Sequence, residues 1–438
     1  MSQATCYNPS CEMMPRDELE QLQIERLQST LNRACRNVAF YRSAFDEHRV
    51  QPEKLTDLKA MRELPFTTKE DLEGSYPYGM FAVPLKDIVR IHSTSGTTGK
   101  PIVFGYTPND LRDWAECAAR LLVAGGITAH DVVQIALDYS LFPGGFGFHQ
   151  GAEQIGASVI PTSLATGMDK QIVVMRDFRT TVLVSTPGHA VSIVTALEEL
   201  HLHPERLHLR LGLFGGEPWS ERLRQELEQR LHVATMDTYG PDEVMWPGVA
   251  GECPERSGLH VNEDHFIVEV IDAQSLQPVA PGQEGELVIT TINREGFPLI
   301  RYRTGDITSL EPAPCPCGRT SVRMARVLRR TDDRVVFRGV GFFPCQVEEI
   351  LLEVEGTTPH YGIVLDRAGG VDTLEIKVEV SEEIPSLDEL KTLETLRRRI
   401  SKRIRAALDV EANVTFVEPR SLRRLAGAKG RVVDRRTR

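Results

Sequence analysis

Between about residue 88 and residue 240, short apolar runs alternate with segments of helical periodicity. The apolar runs include DVVQIAL, ASVIPTS, TTVLVST and LRLGLFGG, and the helical segments include LRDWAECAARLLVAGG and SERLRQELEQRL. Strands separated by helices at this spacing favour a wound α/β domain. Several runs end in Gly, Ser, Thr or Pro, where α/β enzymes usually place ligands. The sequence therefore predicts an α/β fold with ligands at the ends of its strands.

The length of the chain and a change of pattern predict more than one domain. The chain has 438 residues, whereas a single core stops growing at about 250–300 residues. HFIVEVID, GELVITTI and LIRYRT read as strands joined by turns, and they predict a β-rich subdomain over about residues 264–328. Further strands and helices, among them LEIKVEV and VEEILLEV, predict a compact α+β domain over residues 332–438. Residues 1–331 then form a large N-terminal domain.

Composition and charge argue against several classes of protein. Apolar residues make up 41% of the chain and charged residues 26%, which are ordinary values for a globular protein. The net charge of −11 argues against a broad nucleic-acid surface. The chain contains no run of about 18 apolar residues, so no membrane helix is predicted. Its N-terminus lacks the basic start and apolar stretch of a secretory signal. We predict a cytoplasmic protein that binds neither nucleic acid nor membrane.

A segment rich in Gly, Ser and Thr, HSTSGTTGKP, follows the apolar run DIVRI. Glycines let the backbone approach an anion closely and point successive N–H groups at it. Hydroxyls add donors and Lys100 adds charge, so the segment can hold polyphosphate; the alternative is a flexible turn. It is not a Walker A motif, because two residues separate Gly96 from Gly99 where that motif needs four. The candidate phosphate ligands are Ser93, Thr94, Ser95, Gly96, Thr97, Thr98, Gly99 and Lys100.

This segment resembles the phosphate loop of the adenylate-forming superfamily, most closely that of the phenylacetate–CoA ligase family. YPYGMFAVP, LFGGEPW, DTYGPDEVMWPGVAGEC, EDHF, GELVITT, PLIRYRTGD, DDRVVFRGVGFFP and a terminal RVVD occur in the family's order. Together they cover the chain from about residue 15 to its end. The resemblance implies a large adenylate-forming domain and a small mobile C-terminal domain. It also implies an AMP-forming acid–thiol ligase that uses ATP, Mg²⁺ and coenzyme A.

The family resemblance assigns roles to the residues of three further segments. Tyr239, followed by Gly240, would pack on adenine, and Glu243 would ligate Mg²⁺, which prefers carboxylate and phosphate oxygens. Asp306 would accept hydrogen bonds from the ribose hydroxyls. The alternatives are an acidic turn with a core tyrosine and a salt bridge from Asp306 to an arginine. A strand-to-helix turn is the alternative for the predicted adenine-edge loop, which comprises Gly215, Gly216 and Glu217.

The resemblance also extends to the small domain. Asp332 would be the pivot of that domain, and Arg330 would touch the nucleotide; an N-cap or a surface pair is the alternative. The family's catalytic lysine follows a glycine and lies three residues before the arginine of the closing motif. Here Lys429 lies two residues before Arg431. A shift of one residue in the loop could still deliver Lys429 as the catalytic lysine, and a solvent-exposed lysine is the alternative.

Four Cys and His residues could form a structural zinc site. Cys315 and Cys317 form a tight Cys-x-Cys turn, and Cys253 and His260 lie upstream. Three thiolates and one imidazole would close a tetrahedral zinc site. The alternative is a pair of reduced surface cysteines and an unrelated buried one. In either case these residues are not the catalyst.

Aromatic side chains are candidates for the acyl pocket. Tyr139 and Phe142 lie in a segment that resembles the lining of the family's aryl pocket, and both could pack on a ring; ordinary core aromatics are the alternative. Trp246 stands where the family carries Gly and would change the pocket volume. A small aromatic acid of the arylacetic type is the predicted substrate. Transfer to a carrier protein or an amine, and a catalytically impaired relative, remain alternatives, and a homodimer is a further hypothesis.

Overall fold

The computed structural model describes residues 6–94, 100–141, 144–354, 357–368, 371–380, 390–418, 421–422 and 431–436. The α-helices are α1 Pro9–Glu12, α2 Arg16–Asn37, α3 Ala39–His48, α4 Lys69–Gly74, α5 Pro108–Ala124, α6 Gly144–Gln154, α7 Met168–Asp177, α8 Pro187–Glu199, α9 Glu221–Leu231, α10 Pro344–Leu352 and α11 Leu390–Leu408. The first twelve strands are β1 Arg90–Ser93, β2 Val103–Tyr106, β3 Val132–Ala136, β4 Ser158–Pro161, β5 Val182–Ser185, β6 Leu211–Gly215, β7 Ala234–Tyr239, β8 Ala250–Glu252, β9 Leu259–Val261, β10 Phe266–Ile271, β11 Gly285–Thr291 and β12 Tyr302–Thr308. They are followed by β13 Leu310–Glu311, β14 Arg323–Met324, β15 Arg329–Arg330, β16 Val335–Phe337, β17 Val340–Phe342, β18 Thr357–Ala368, β19 Val371–Val380, β20 Asn413–Val417 and β21 Val432–Asp434. The predicted α/β class is confirmed.

The chain divides into two compact units. The first comprises the residues up to Gly216 together with Glu228–Val327, and the second comprises Glu217–Leu227 and the residues from Leu328 onward. The domain limits proposed from the sequence, and the pivot at Asp332, stay predictions.

The first unit is built on a nine-stranded sheet of order β13-β14-β9-β8-β7-β6-β5-β3-β4. Strands β4, β3, β5, β6 and β7 are parallel to one another, and β8 and β9 continue the sheet from β7 in antiparallel pairing. Parallel strands covered on both faces read as continuous apolar runs, and every residue of β5 and β6 is buried. The alternation of apolar runs with helical segments in the sequence therefore arises from a wound α/β sheet.

Helix α5 shows why the sequence starts a helix where it does. The Thr107 side chain accepts a hydrogen bond from the Asp110 backbone N–H, the Asp110 side chain accepts from the Thr107 N–H, and Pro108 occupies the first turn. This reciprocal cap satisfies backbone donors that have no partner inside the helix. Asp110 also accepts from the backbone N–H groups of Glu295 and Gly296, at 2.6 and 2.9 Å. The cap thus also fixes the turn that follows β11.

Strands β10, β11 and β12 pair consecutively in antiparallel fashion, within the region predicted to be rich in β-structure. Burial alternates along β12, where Tyr302, Thr304 and Asp306 are buried and the residues between them are half-buried. Successive side chains of a strand point to opposite faces. A bulge adds two residues to β12 between Arg303 and Ile307, an even number that preserves the alternation, so Tyr302 and Asp306 project from the same face.

The second unit contains a four-stranded sheet of order β20-β19-β18-β21. Its core joins the strands to the apolar face of α11, where Ile400 and Ile404 are fully buried together with Ile363 and Ile376. The arginines of α11 lie on its other positions, as expected for an amphipathic helix. Among the described residues, the helices are too short or too polar to cross a membrane.

Candidate active site

Several of the predicted site residues follow the carboxyl ends of parallel strands. Strand β3 leads to Tyr139, β6 ends at Gly215, and β7 ends at Tyr239. These strands belong to the parallel part of the nine-stranded sheet, in the order β7-β6-β5-β3. Because the carboxyl ends of parallel strands meet at one edge, ligands of such folds bind there. The fold therefore gathers three segments that are far apart in the sequence.

Tyr239 and Asp306 are in direct contact. The Tyr239 hydroxyl donates a hydrogen bond to Asp306 Oδ2 at 2.5 Å. Asp306 is 4% exposed, and the hydroxyl of Thr304 accepts from its backbone N–H at 3.0 Å. This hydrogen bond links the predicted adenine-packing ring to the predicted ribose-binding carboxylate, and so joins the end of β7 to β12.

Glu243 lies on the loop after β7, and its side chain is held by strand β12. The Tyr302 hydroxyl donates to Glu243 Oε1 at 2.5 Å. Next to it, burial and then the charge of Glu243 raise the pKa of Asp242 to about 7. Carboxylate oxygens are the ligands that Mg²⁺ prefers in proteins, and a bound cation would favour the ionised form of Asp242. The residues present therefore fit a magnesium site.

Arg294 was missed by sequence reasoning. It lies in the turn after β11, and its Nη1 donates to the carbonyl oxygens of Glu243 and, at 2.8 Å, Val244. Its guanidinium lies 4.6 Å from the centroid of the Tyr106 ring. A single arginine in a turn carries no spacing signal that would connect it with a loop fifty residues upstream.

The predicted adenine-edge loop begins where β6 ends. A Cβ atom at Gly215 would lie 2.5 Å from both the carbonyl oxygen and the hydroxyl of Thr238, so no side chain fits between these adjacent strands. Gly216 has φ +77°, in the left-handed region that glycine adopts readily. The two glycines therefore allow a close approach and a sharp turn at the sheet edge.

The predicted phosphate loop joins the antiparallel strands β1 and β2. Thr94 closes its base, because its N–H donates to the Ile102 carbonyl and its hydroxyl accepts from the Ile102 N–H, both at 3.0 Å. The Ser93 N–H donates to the Leu141 carbonyl at 3.3 Å, which links the hairpin to the acyl-pocket segment. Lys100 is exposed at the other side of the loop. Ser95, Gly96, Thr97, Thr98 and Gly99 lie outside the described residues.

Aromatic rings line the acyl-pocket segment. Tyr139 packs edge-on against Phe146 with centroids 5.2 Å apart, and its hydroxyl lies 3.3 Å from His149 Nδ1. The ring of Trp246 lies directly over Gly144, where a Cβ atom would be 1.8 Å from its Cζ3, and also faces Gly216. Trp246 thus spans the acyl segment and the adenine-edge loop.

Other predicted residues belong to the second unit or lie outside the described residues. Glu217, Arg330 and Asp332 belong to the second unit. Within it, Arg330 Nε donates to Asp332 Oδ1 at 3.0 Å, an arrangement that agrees with the surface-pair alternative as well as with a hinge. Phe142 and Lys429 lie outside the described residues, so their roles stay predictions.

The four predicted zinc ligands come together in the first unit. The ligand atoms of Cys253, His260, Cys315 and Cys317 all lie within 4.8 Å of one another. The sulfur atoms of Cys253 and Cys315 are 3.8 Å apart, and Cys317 Sγ is 3.4 Å from His260 Nε2. Thiolates bound at ~2.3 Å in a tetrahedron would be about 3.8 Å apart. His260 Nδ1 also lies 3.1 Å from the hydroxyl of Ser321, as expected for a metal-binding histidine oriented through its second nitrogen.

Comparison with known proteins decides the family. Residues 18–293 match the family model of AMP-binding enzymes, and residues 339–436 match that of the AMP-binding enzyme C-terminal domain. The phenylacetate-coenzyme A ligase of Thermus thermophilus is 42% identical, over 98% of this chain and 99% of that protein. The Escherichia coli phenylacetate-coenzyme A ligase is also 42% identical, over 96% and 95%. The chain belongs to the phenylacetate–CoA ligase family of AMP-binding enzymes.

Solved structures agree with this assignment. A 2-hydroxyisobutyryl-CoA ligase in the postadenylation state, in complex with 2-HIB-AMP, superimposes with a TM-score of 0.91 at 28% identity, over all of this chain and 94% of the other. The same enzyme with 2-HIB-AMP and CoA in the thioesterification state gives 0.74 at 29% identity. The predicted family, fold and class of enzyme are confirmed, and the chain is an AMP-forming acyl-CoA synthetase.

Proposed function

We propose that this enzyme activates a small aromatic carboxylic acid of the arylacetic type. Relatives that share about 42% of its sequence are named phenylacetate-coenzyme A ligases. Tyr139 and Phe146 offer aromatic surface beside the carboxyl ends of the parallel strands, and aromatic rings prefer such edge-to-face surroundings. Trp246 would reduce the space available to the acid, so smaller acids belong in the same substrate screen.

The observation that best supports the chemistry is a pair of hydrogen bonds between one loop and one strand. Tyr239 ends β7 and Glu243 follows four residues later, and each is bonded to the same face of β12, through Asp306 and Tyr302. A nucleotide that packs on the tyrosine would present its ribose to Asp306 and its phosphates towards Glu243. The chain thus prepares the positions for both ends of ATP before ATP binds.

In the proposed first step, an oxygen of the acid's carboxylate attacks the α-phosphorus of ATP, and the bond to pyrophosphate breaks. Glu243 would hold Mg²⁺, which would offset the charge of the triphosphate. The backbone N–H groups of the Gly-rich loop would bind the phosphates. Lys429 would approach the charge that develops on the reacting oxygens.

In the proposed second step, the sulfur of coenzyme A attacks the acyl carbonyl carbon, and AMP leaves. Asp332 would be the pivot that carries the small domain between the two steps, since a few residues can absorb such a rotation. Lys429 is assigned to the first step alone. Lys429→Ala should therefore slow adenylation while thioester formation from a supplied acyl-AMP continues.

The decisive experiment is carboxylate-dependent ATP–pyrophosphate exchange with a panel of arylacetic, benzoic and short aliphatic acids. AMP release is then measured with and without coenzyme A. We expect exchange with at least one aromatic acid, faster AMP release with coenzyme A, and loss of exchange in Glu243→Gln. Exchange without stimulation by coenzyme A would favour a carrier protein or an amine as acceptor. No exchange with any acid would refute the proposal.

We also propose that the cluster of Cys253, His260, Cys315 and Cys317 holds a structural zinc ion. The sulfur and nitrogen donors, their burial and their mutual distances match a closed tetrahedral site. A location in the cytoplasm, where cysteines stay reduced, is consistent with this chemistry.

Light scattering during size-exclusion chromatography would test the hypothesis of a homodimer.

A further inference from the structure

Arg294 is a buried cation that holds backbone rather than a carboxylate. It is 4% exposed, and its Nη1 donates to the carbonyl oxygens of Glu243 and Val244. Among the described residues, its Nε and Nη2 have no hydrogen-bond partner. Burying a charge costs free energy unless the charge is compensated. A neutral donor could hold the same two carbonyl groups at a lower cost, so the buried position of Arg294 calls for a functional reason.

Aromatic rings supply part of the compensation. The guanidinium lies 4.6 Å from the centroid of Tyr106, 5.2 Å from that of Phe297 and 5.8 Å from that of Phe104. Cation–π attraction is strongest when the cation is desolvated, as it is here. These rings also confine the guanidinium, so that it offers its donors to the two carbonyl groups in a fixed geometry.

Tyr302 restrains the same loop at its side chain. It is 2% exposed, and its hydroxyl donates to one oxygen of the Glu243 carboxylate at 2.5 Å. Arg294 therefore restrains the backbone of Glu243 while Tyr302 restrains its carboxylate. Restraints on both the backbone and the side chain of one residue are what a preset ligand needs, because they remove conformations that would otherwise be lost on binding.

We propose that Arg294 and Tyr302 are positioning residues that preset the Glu243 carboxylate for the divalent cation bound with ATP. The inference rests on the proposed role of Glu243 as the metal ligand. Neighbours that orient a ligand typically change metal affinity by about 10–100-fold when they are removed. Their effect should therefore be confined to binding that requires the metal.

The test measures binding rather than turnover. The affinity for α,β-methylene-ATP is determined by isothermal titration calorimetry with Mg²⁺ and with EDTA, and the ratio of the two is the metal-dependent gain. We expect Tyr302→Phe and Arg294→Met to reduce this gain about tenfold or more while the affinity in EDTA is retained. Arg294→Lys, which keeps the cation and a donor, should recover part of the gain.

The matched control is Tyr41→Phe. Tyr41 is also a buried tyrosine, but its hydroxyl accepts from the Ile300 N–H at 3.0 Å and donates to the Pro298 carbonyl at 3.3 Å rather than to Glu243. This substitution should lower the melting temperature but leave the metal-dependent gain unchanged. If Tyr302→Phe and Arg294→Met lower only the melting temperature, their role is structural and the inference is wrong.

Glu243→Gln separates this inference from the proposed function. Loss of the gain in Glu243→Gln, with the full gain kept in Arg294→Met and Tyr302→Phe, would overturn the positioning role and leave Glu243 as the metal ligand. An unchanged gain in Glu243→Gln itself would remove Glu243 from the metal site, and the positioning role with it.

Discussion

The phenol of Tyr239 donates a hydrogen bond of 2.5 Å to the carboxylate of Asp306, 67 residues further along the chain. The bond connects the residue predicted to pack on adenine with the residue predicted to bind ribose. Each holds the other in place before the nucleotide arrives. The two residues should therefore act on ATP binding as a coupled pair.

Removing the phenol should weaken ATP binding without removing the ring. Tyr239→Phe keeps the aromatic surface but removes its hydrogen bond to Asp306, so the KM for ATP should rise about tenfold, the usual effect of losing a hydrogen bond to a charged group. Asp306→Asn should raise it similarly. Steady-state kinetics of the double variant give the coupling: an effect smaller than the product of the single effects is expected, and strictly multiplicative effects would contradict it.

Gly144 and Trp246 should show a suppressor relationship. The Cβ atom of Gly144→Ala would lie 1.8 Å from Trp246 Cζ3, so the substitution should displace the indole and cost about 1–3 kcal/mol. Trp246→Ala removes the obstacle, and Gly144→Ala should then cost little. Melting temperatures of the four combinations test this. An equal cost in both backgrounds would show that the indole does not fill this space.

The same indole should limit the acids that the enzyme accepts. Trp246→Ala opens space beside the acyl segment, so the kcat/KM for arylacetic acids should rise relative to that for short aliphatic acids. One methylene in a pocket changes discrimination by about 10–200-fold, and an indole displaces more volume than that. The ratio of the two kcat/KM values is the measurement, and Phe178→Ala, an exposed aromatic on the surface, is the control.

Sequence reasoning succeeded where a strand or a cluster of side chains depends on a local pattern. The strand that ends at Gly215 was visible as the apolar run LRLGLFGG, because parallel strands are buried on both faces. The Cys/His cluster was predicted from donor chemistry, because Cys315 and Cys317 form a compact pair and zinc prefers thiolate and imidazole ligands. The structure confirms the predicted proximity of Cys253, whose sulfur lies 3.8 Å from that of Cys315, 62 residues further along the chain.

Sequence reasoning did not predict the site residues that are identified only by tertiary contacts. Arg294 belongs to no sequence motif that we recognised. Its contact with the Glu243 loop is seen only in the structure, where its Nη1 lies 2.8 Å from the carbonyl oxygen of Val244. The pairing of Tyr302 with Glu243 likewise depends on which face of β12 meets the loop. Such contacts leave no periodic trace in one sequence.

Loss of one thiolate should remove the proposed zinc ion. Cys315→Ser should reduce the zinc content from about one ion per chain to near zero and lower the melting temperature by roughly 5–10 °C, because a structural metal contributes folding free energy. Zinc is measured by mass spectrometry. Cys35→Ser, at a half-buried cysteine of α2 outside the cluster, should change neither. Full-length enzyme without bound zinc, purified in zinc-containing medium, would contradict the assignment.

Asp113 should make the protein less stable as the pH rises. Burial, and then the nearby charge of Asp110, raise the pKa of Asp113 to about 7 from its usual value near 3.8. The folded state therefore keeps a proton that the unfolded state loses between about pH 4 and pH 7, so stability falls over that interval. The Asn293 amide donates to Asp113 Oδ2 at 2.6 Å, and an asparagine can still accept this bond.

Asp113→Asn should remove that pH dependence. The urea midpoint of Asp113→Asn should exceed that of the parent enzyme by a small amount at pH 5 and by a larger amount at pH 8. The reason is that the parent loses stability over this range as Asp113 ionises, whereas the asparagine does not titrate. Asp46→Asn, at an exposed position of α3, should show no such change between the two pH values. If the advantage of Asp113→Asn were equal at pH 5 and pH 8, the carboxyl group would already be ionised in the folded protein, and the raised pKa of Asp113 would be refuted.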